Sequence, residues 1–263
     1  MVDPSEAIGK ARQAVTQRAE LPGMSLMEHL DELRRRIVHS ALYLGAGFVI
    51  AYFFHERLYG LVQQPLDRLH IKLNYTHPMD ALNLYLQVSL IGGAILASPF
   101  ILYQVWLFIA PGLYQKERRF VVPFMAATVG LFLTGAAFGY FFVLPGALKI
   151  LIVDFGKNFN PIITIEEYTG FFLSIILGLG ISFEMPILIF FLALFGIVSP
   201  RFLWKNIRYA ILAVFLVAAI ITPSPDPWTM CIYAVPMLCL YLVGIAVAWW
   251  VHPDRRKAKE ATS

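Results

Sequence analysis

Six apolar runs dominate the sequence, at about 37–54, 84–109, 121–144, 169–195, 209–221 and 230–250, each bounded by charges or by Pro and Gly clusters. A membrane-crossing helix needs about 20 apolar residues, so five of these runs are long enough to cross and the fifth is marginal. With 59% of the 263 residues apolar and 14% charged, the chain cannot be an ordinary water-soluble single core. The expected fold class is therefore all-α, an integral membrane protein of six transmembrane helices. No internal repeat or low-complexity segment is visible.

An even number of crossings puts both termini on one side, and the basic residues identify that side. Sixteen of the 21 Lys and Arg fall on the side of the termini, including Arg34, Arg35, Arg36, Lys116, Arg118, Arg119, Arg201 and Arg255. Five fall on the other side: Arg57, Arg68, Lys72, Lys149 and Lys157. Positive charge is retained on the cytoplasmic face, so both termini are expected there. Residues 1–24 show no apolar core or cleavage site, and the first span is expected to do the targeting. Residues 1–24 read as a cytoplasmic extension, 25–251 as the membrane domain and 252–263 as a basic tail.

The fifth run, Tyr209 to Ile221, has a purely apolar part of only about 20 Å as helix, against a hydrocarbon thickness near 30 Å. Short fifth and sixth spans are expected, joined by a tight turn at the proline-rich Thr222-Pro-Ser-Pro-Asp-Pro227. Prolines at 99, 123, 186 and 236 remove backbone hydrogen bonds inside or near spans and are expected to kink them. Kinks of this kind favour a cupped bundle over a straight one. Of the two long external loops, 55–83 and 145–168, the second carries a capping box at Thr164-Ile-Glu-Glu167, and Asp80 at the end of the first is placed to cap the next helix.

No phosphate loop, zinc-binding helix or nucleophile elbow occurs, and no cofactor is implied. All six histidines lie outside or at the ends of the runs. Cys231 and Cys239 share one apolar run eight residues apart, about 12 Å along a helix, which excludes a disulfide between them and leaves them as small packing residues. One carboxylate lies deep in an apolar run: Glu184, in Gly180-Ile-Ser-Phe-Glu-Met-Pro186. A charge at mid-helix costs roughly 2.5 to 3.5 kcal/mol on insertion scales. Glu184 is therefore a functional candidate facing a polar cavity or partner, unless Ser182 or a carbonyl freed by Pro186 satisfies it.

At the cytoplasmic entrance, Ser25-Leu-Met-Glu28 fits a capping box, and Leu26, Leu30, Leu33 and Ile37 recur on one helical face. The opposite face carries Glu28 and Glu32 with Arg35 and Arg36 beyond, a pattern that reads first as a solvated Glu32–Arg36 ion pair. The connection Ala110 to Phe120 holds one acid, Glu117, among three bases. Glu32 and Glu117 thus lie on the same membrane face. Together they can receive two guanidinium groups, each through a fork that lysine cannot reproduce.

Three segments, Ser25 to Arg36, Ile101 to Arg119 and Ser182-Phe-Glu-Met-Pro186, closely resemble the TatC family of the twin-arginine protein translocase, and the resemblance runs from Ser25 to about Val251. It implies a receptor rather than an enzyme, one that binds twin-arginine signal peptides of folded cargo on its cytoplasmic face. With the small single-span subunits TatA and TatB, or one bifunctional TatA, such a receptor exports folded proteins across the cell inner membrane using the proton-motive force. The resemblance further implies a hetero-oligomer with several TatC copies in membrane lipid, and no nucleic acid. Its signal-binding residues match Glu32, Glu117, Arg34, Phe108, Tyr114, Arg118 and Arg119, its external-loop proline matches Pro65, and its intramembrane glutamate, in contact with a partner helix, matches Glu184 beside Ser182. The chain departs from many relatives at Thr229-Met230 and Leu242. The competing reading is a proton-coupled small-solute transporter, for which internal repeats with a midplane site between them would be expected.

Overall fold

The computed structural model describes residues 26–109, 121–194, 196–222 and 226–251, and the described residues are helical apart from connections and one isolated bridge. The main helices are α1 (Leu26–Tyr52), α2 (His55–Asp67), α3 (Asp80–Ile109) and α4 (Val121–Phe138). After α4, a π segment at Gly139–Val143, the short α5 (Leu144–Leu148) and a second π segment at Lys149–Phe155 continue the same rod. Then come α6 (Ile165–Ser182), α7 (Met185–Leu194), α8 (Pro200–Lys205), α9 (Ile207–Ile221) and α10 (Pro227–Val251).

Four stretches, Asp80–Phe108, Pro123–Phe155, Ile165–Leu194 and Pro227–Val251, are long and apolar enough to cross a membrane, and α1 with α2 makes a fifth if that pair, bent by 84°, is one span. The remaining apolar helix, α9, has 15 residues, about 22 Å. The fifth run is thus short as expected. The sixth is not: α10 has 25 residues, about 37 Å, because Pro227 sits at its start, where a missing N–H costs nothing, and the helix runs on to Val251. Asp226 accepts from the N–H groups of Trp228 and Thr229 at 3.1 and 2.9 Å, a cap the sequence pattern had hidden inside the proline turn. Pro223, Ser224 and Pro225 lie outside the described residues.

The prolines act differently from one another. Pro99 lies within a continuous α3, and the carbonyl it frees, that of Ile95, accepts from the Ser98 hydroxyl at 2.8 Å. Pro123 sits in the first turn of α4, where it is tolerated. Pro186 coincides with the break between α6 and α7. The second external connection is shorter than expected because helical backbone continues to Phe155, with Pro145 in the first turn after a π segment.

In lipid, helices gain little from burying apolar surface against each other, so association rests on close packing and on hydrogen bonds. The seam between α1 and α3 shows this at Gly47 and Gly93: a Cβ on Gly93 would lie 2.5 Å from the Phe48 nitrogen, and one on Gly47 would lie 2.5 Å from the Gly93 oxygen. The largest buried cluster joins α2, α3, α5, α6 and α10 through Leu66, Leu84, Leu144, Ile175 and Tyr233. A second cluster ties α7, α8 and α10 through Ile189, Leu203 and Tyr241, whose hydroxyl donates to the Leu203 carbonyl at 2.9 Å.

Pro65 lies inside α2 rather than in an irregular loop, and its surroundings follow from its chemistry. Lacking an N–H, it leaves the Leu61 carbonyl without its helical donor, and the Tyr140 hydroxyl supplies one at 2.9 Å while also reaching Gln64 Oε1 at 2.8 Å. Tyr168 donates to the Val62 carbonyl at 2.7 Å. The external connections are joined by a bridge in which Asn74 N–H donates to the Ile163 carbonyl and Ile165 N–H to the Asn74 carbonyl, both at 2.9 Å. Thr164 caps α6 as expected, accepting from Glu167 N–H at 3.3 Å. Asp80 does not cap the N–H groups of its own helix. Its carboxylate turns back to accept from the N–H groups of Thr76 and His77 at 2.7 and 2.8 Å, which fixes the loop entering α3.

Candidate functional site

α1 presents an unexpected face to the protein. The apolar stripe of the sequence pattern points outward, with Leu30 and Ile37 exposed, whereas Glu32 and Arg36 turn toward α3. Their side chains retain 15% and 25% exposure, so the pair is not on the solvated face that its spacing implied. The inversion has a simple cause. Apolar side chains directed away from the protein meet lipid without cost, and polar ones are satisfied only by another helix.

That helix supplies Gln104. Arg36 Nη2 lies 3.0 Å from Glu32 Oε1, and Arg36 Nη1 donates to Gln104 Oε1 at 3.1 Å. Gln104 is buried, and nothing in its sequence setting marked it apart from the apolar residues around it. Glu32 Oε2 and Arg36 Nε are buried with no hydrogen-bond partner among the described residues. The arrangement is a neutralised but unsaturated carboxylate at the α1–α3 seam. Chemically it is an acceptor with one oxygen still available to a cationic donor.

The end of α3 is held by aromatic packing that the run pattern did not reveal. Trp106 Nε1 donates to Thr128 Oγ1 at 3.1 Å, joining α3 to α4. The Trp106 ring meets Phe191 of α7 edge-on, with centroids 4.7 Å apart, and stacks on Phe124 at 5.9 Å. Phe108 is half-buried next to this cluster. A tryptophan in one apolar run with a threonine in the next was the available signal. Arg34 is exposed on α1. Tyr114, Glu117, Arg118 and Arg119 lie outside the described residues, as does Ser25. Gln104 stands five residues before the last residue of α3, about 7.5 Å along the axis, so the end of that helix lies close to the Glu32–Arg36 pair.

Glu184 falls in the two-residue break between α6 and α7, with its N–H donating to the Ile181 carbonyl at 3.0 Å. Ser182 does not satisfy its carboxyl, because the Ser182 hydroxyl donates to the Gly178 carbonyl at 2.6 Å. Glu184 Oε1 is buried and has no partner among the described residues. Cys231 and Cys239 are free thiols, and both are exposed on α10 rather than packed inside.

The chain matches the family model described as Sec-independent protein translocase protein (TatC) over residues 28–236. It is 53% identical over 265 residues to the Sec-independent protein translocase protein TatC of Koribacter versatilis, covering 98% of this chain and 97% of that one. Identity to TatCy of Bacillus subtilis is 34%, covering 93% and 96%. Among solved structures, a crystal structure of a twin arginine translocase receptor, TatC, superimposes with a TM-score of 0.78 at 35% identity, covering 85% of this chain and 99% of that one.

Proposed function

The chain belongs to the TatC family, the membrane component of Sec-independent protein translocation, and on that premise we propose that it is the signal receptor of a twin-arginine translocase in the cell inner membrane. In this reading Glu32 and Glu117 accept the paired arginines of a cargo signal peptide. Arg34, Phe108, Tyr114, Arg118 and Arg119 frame the dock, and the spans number six with both termini cytoplasmic. Residues 1–24 form an extension to a 25–251 membrane domain, and 252–263 a basic tail. The observation that carries the reading is the half-buried Glu32 carboxylate at the α1–α3 seam, which keeps one oxygen without a donor. A buried acceptor in that state favours a cationic donor from outside the chain.

Glu184 and Ser182 are assigned to the contact with a partner helix, from TatA and TatB or one bifunctional TatA, in an assembly of several TatC copies. A buried carboxyl oxygen without a donor in an apolar span supports this, since polar side chains in lipid are satisfied by another helix. Pro65 keeps the external helix α2 anchored through the carbonyl it frees. Export of folded cargo is driven by the proton-motive force.

Peptide binding tests the dock. A signal peptide bearing Arg-Arg is expected to bind the lipid-embedded protein roughly tenfold or more tightly than its Lys-Lys counterpart, the difference expected of forked against point-charge pairing. Reversal of Glu32 or Glu117 to Lys is expected to remove that preference while membrane insertion is retained. Equal binding of the two peptides to the unaltered protein would overturn the receptor reading.

A further inference from the structure

Glu32, Arg36 and Gln104 form a polar chain across the α1–α3 seam, and it is incomplete in a specific way. A guanidinium and a carboxylate can join through two parallel bonds that use both carboxylate oxygens. Here only one forms, from Arg36 Nη2 to Glu32 Oε1, because Nη1 is directed to Gln104 on the facing helix. Glu32 Oε2 and Arg36 Nε are left buried without partners among the described residues. The internal pair is weaker than the pair an unrestrained arginine would make with the same acid.

Resting on the assignment of Glu32 as a receptor acid, we propose that Arg36 is a resident competitor for Glu32, that Gln104 is the positioning residue that retains Arg36 when it is displaced, and that this competition sets the threshold that an incoming cation must exceed to occupy the dock. An incoming arginine forms two charge-assisted bonds with Glu32 where Arg36 formed one. Arg36 keeps its bond to Gln104, so the displaced guanidinium is not stranded without an acceptor. An incoming lysine offers a point charge and replaces one bond by one. It gains nothing over the resident. Glu32 exchanges one cation for another and is never left as an unpaired buried charge, which would be strongly unfavourable; Arg36 gives up its carboxylate and is left with the Gln104 amide and the 25% of its side chain that is exposed.

The test measures binding of labelled Arg-Arg and Lys-Lys signal peptides to the full-length protein in lipid nanodiscs by fluorescence anisotropy. Arg36→Met is expected to tighten Arg-Arg and Lys-Lys by the same factor, roughly tenfold, the value of about one charge-assisted hydrogen bond no longer given up at Glu32, with the ratio between the two peptides unchanged. Arg36→Gln serves the same purpose should the Met variant not fold. Gln104→Leu is expected to weaken Arg-Arg binding severalfold in the unaltered background and to have no effect when Arg36 is already Met. A merely structural role for Gln104 would weaken binding in both backgrounds, and that result overturns its assignment. Unchanged affinity for both peptides in both Arg36 variants overturns the competitor. Glu32→Gln separates the two levels. If it abolishes Arg-Arg binding while the Arg36 variants bind no more tightly than the unaltered protein, the receptor acid stands and the competitor falls; if it leaves binding unchanged, the receptor acid itself falls.

Discussion

A freed carbonyl and an unsatisfied carboxylate explain much of what individual residues do in this protein. Pro65 leaves the Leu61 carbonyl to Tyr140, so Tyr140→Phe is expected to cost about 1 to 2 kcal/mol through a lost bond and an acceptor with no substitute. Pro65→Ala in that background restores an N–H for Leu61 and should recover part of the loss. Thermal unfolding of the two single variants and the double variant checks this. Additive losses would show that the proline and the tyrosine are not coupled. Glu184→Ala is expected to impair association with partner subunits while leaving the isolated chain as stable as before, because its buried Oε1 has no hydrogen bond to lose among the described residues. Co-purification with the partners, alongside the melting temperature of the chain alone, tells a partner contact from a structural one. The local signals for these roles were uneven. Glu184 was legible as the one acid deep in a run, whereas Gln104 was not, since its partner lies 68 residues away.

At the level of elements, the α1–α3 seam depends on backbone approach at Gly93 and Gly47. A Cβ at position 93 meets Phe48 backbone atoms at 2.5 and 2.7 Å, and backbone cannot be displaced like the end of a flexible side chain. Gly93→Ala is therefore expected to destabilise by about 2 to 3 kcal/mol and, by separating Arg36 from Gln104, to change signal-peptide affinity as well. Gly45→Ala, on α1 with nothing within 4 Å of the added carbon, should do neither. Parallel melting and peptide-binding measurements on the two variants decide it, and equal effects would remove the seam as the cause. Helix α1 also shows where pattern reading fails. Its stripe of Leu26, Leu30, Leu33 and Ile37 identified one apolar face of the helix but not the direction in which it points, and Leu30 and Ile37 prove exposed.

For the whole molecule, the governing quantity is the difference between the 15-residue α9 and the 25-residue α10 and 30-residue α3. About 22 Å of helix against a hydrocarbon layer near 30 Å must be accommodated by local thinning or by polar flanks reaching outward. Asn206 and Arg208 border α9 at one end and Thr222 at the other, where the Thr222 hydroxyl donates to the Ala218 carbonyl. Thermal stability is expected to be higher in short-chain than in long-chain phosphatidylcholine nanodiscs, with α9 the first helix to gain amide exchange as the bilayer thickens. Stability and exchange that do not change with thickness would exclude a mismatch at α9.

By itself the sequence determined that this chain lies in a membrane, where its apolar helices fall, that one is too short, and that one acid, Glu184, lies deep in an apolar run. These properties are local: run length, periodicity and motif spacing are contained within single segments. Only the tertiary structure decided which side of α1 faces inward, that Arg36 occupies one oxygen of Glu32 and leaves the other, and that Gln104 and Tyr140 complete groups on distant helices. The reason is that satisfaction of a polar group in lipid is settled by whichever helix packs against it, and that neighbour is not encoded in the surrounding residues.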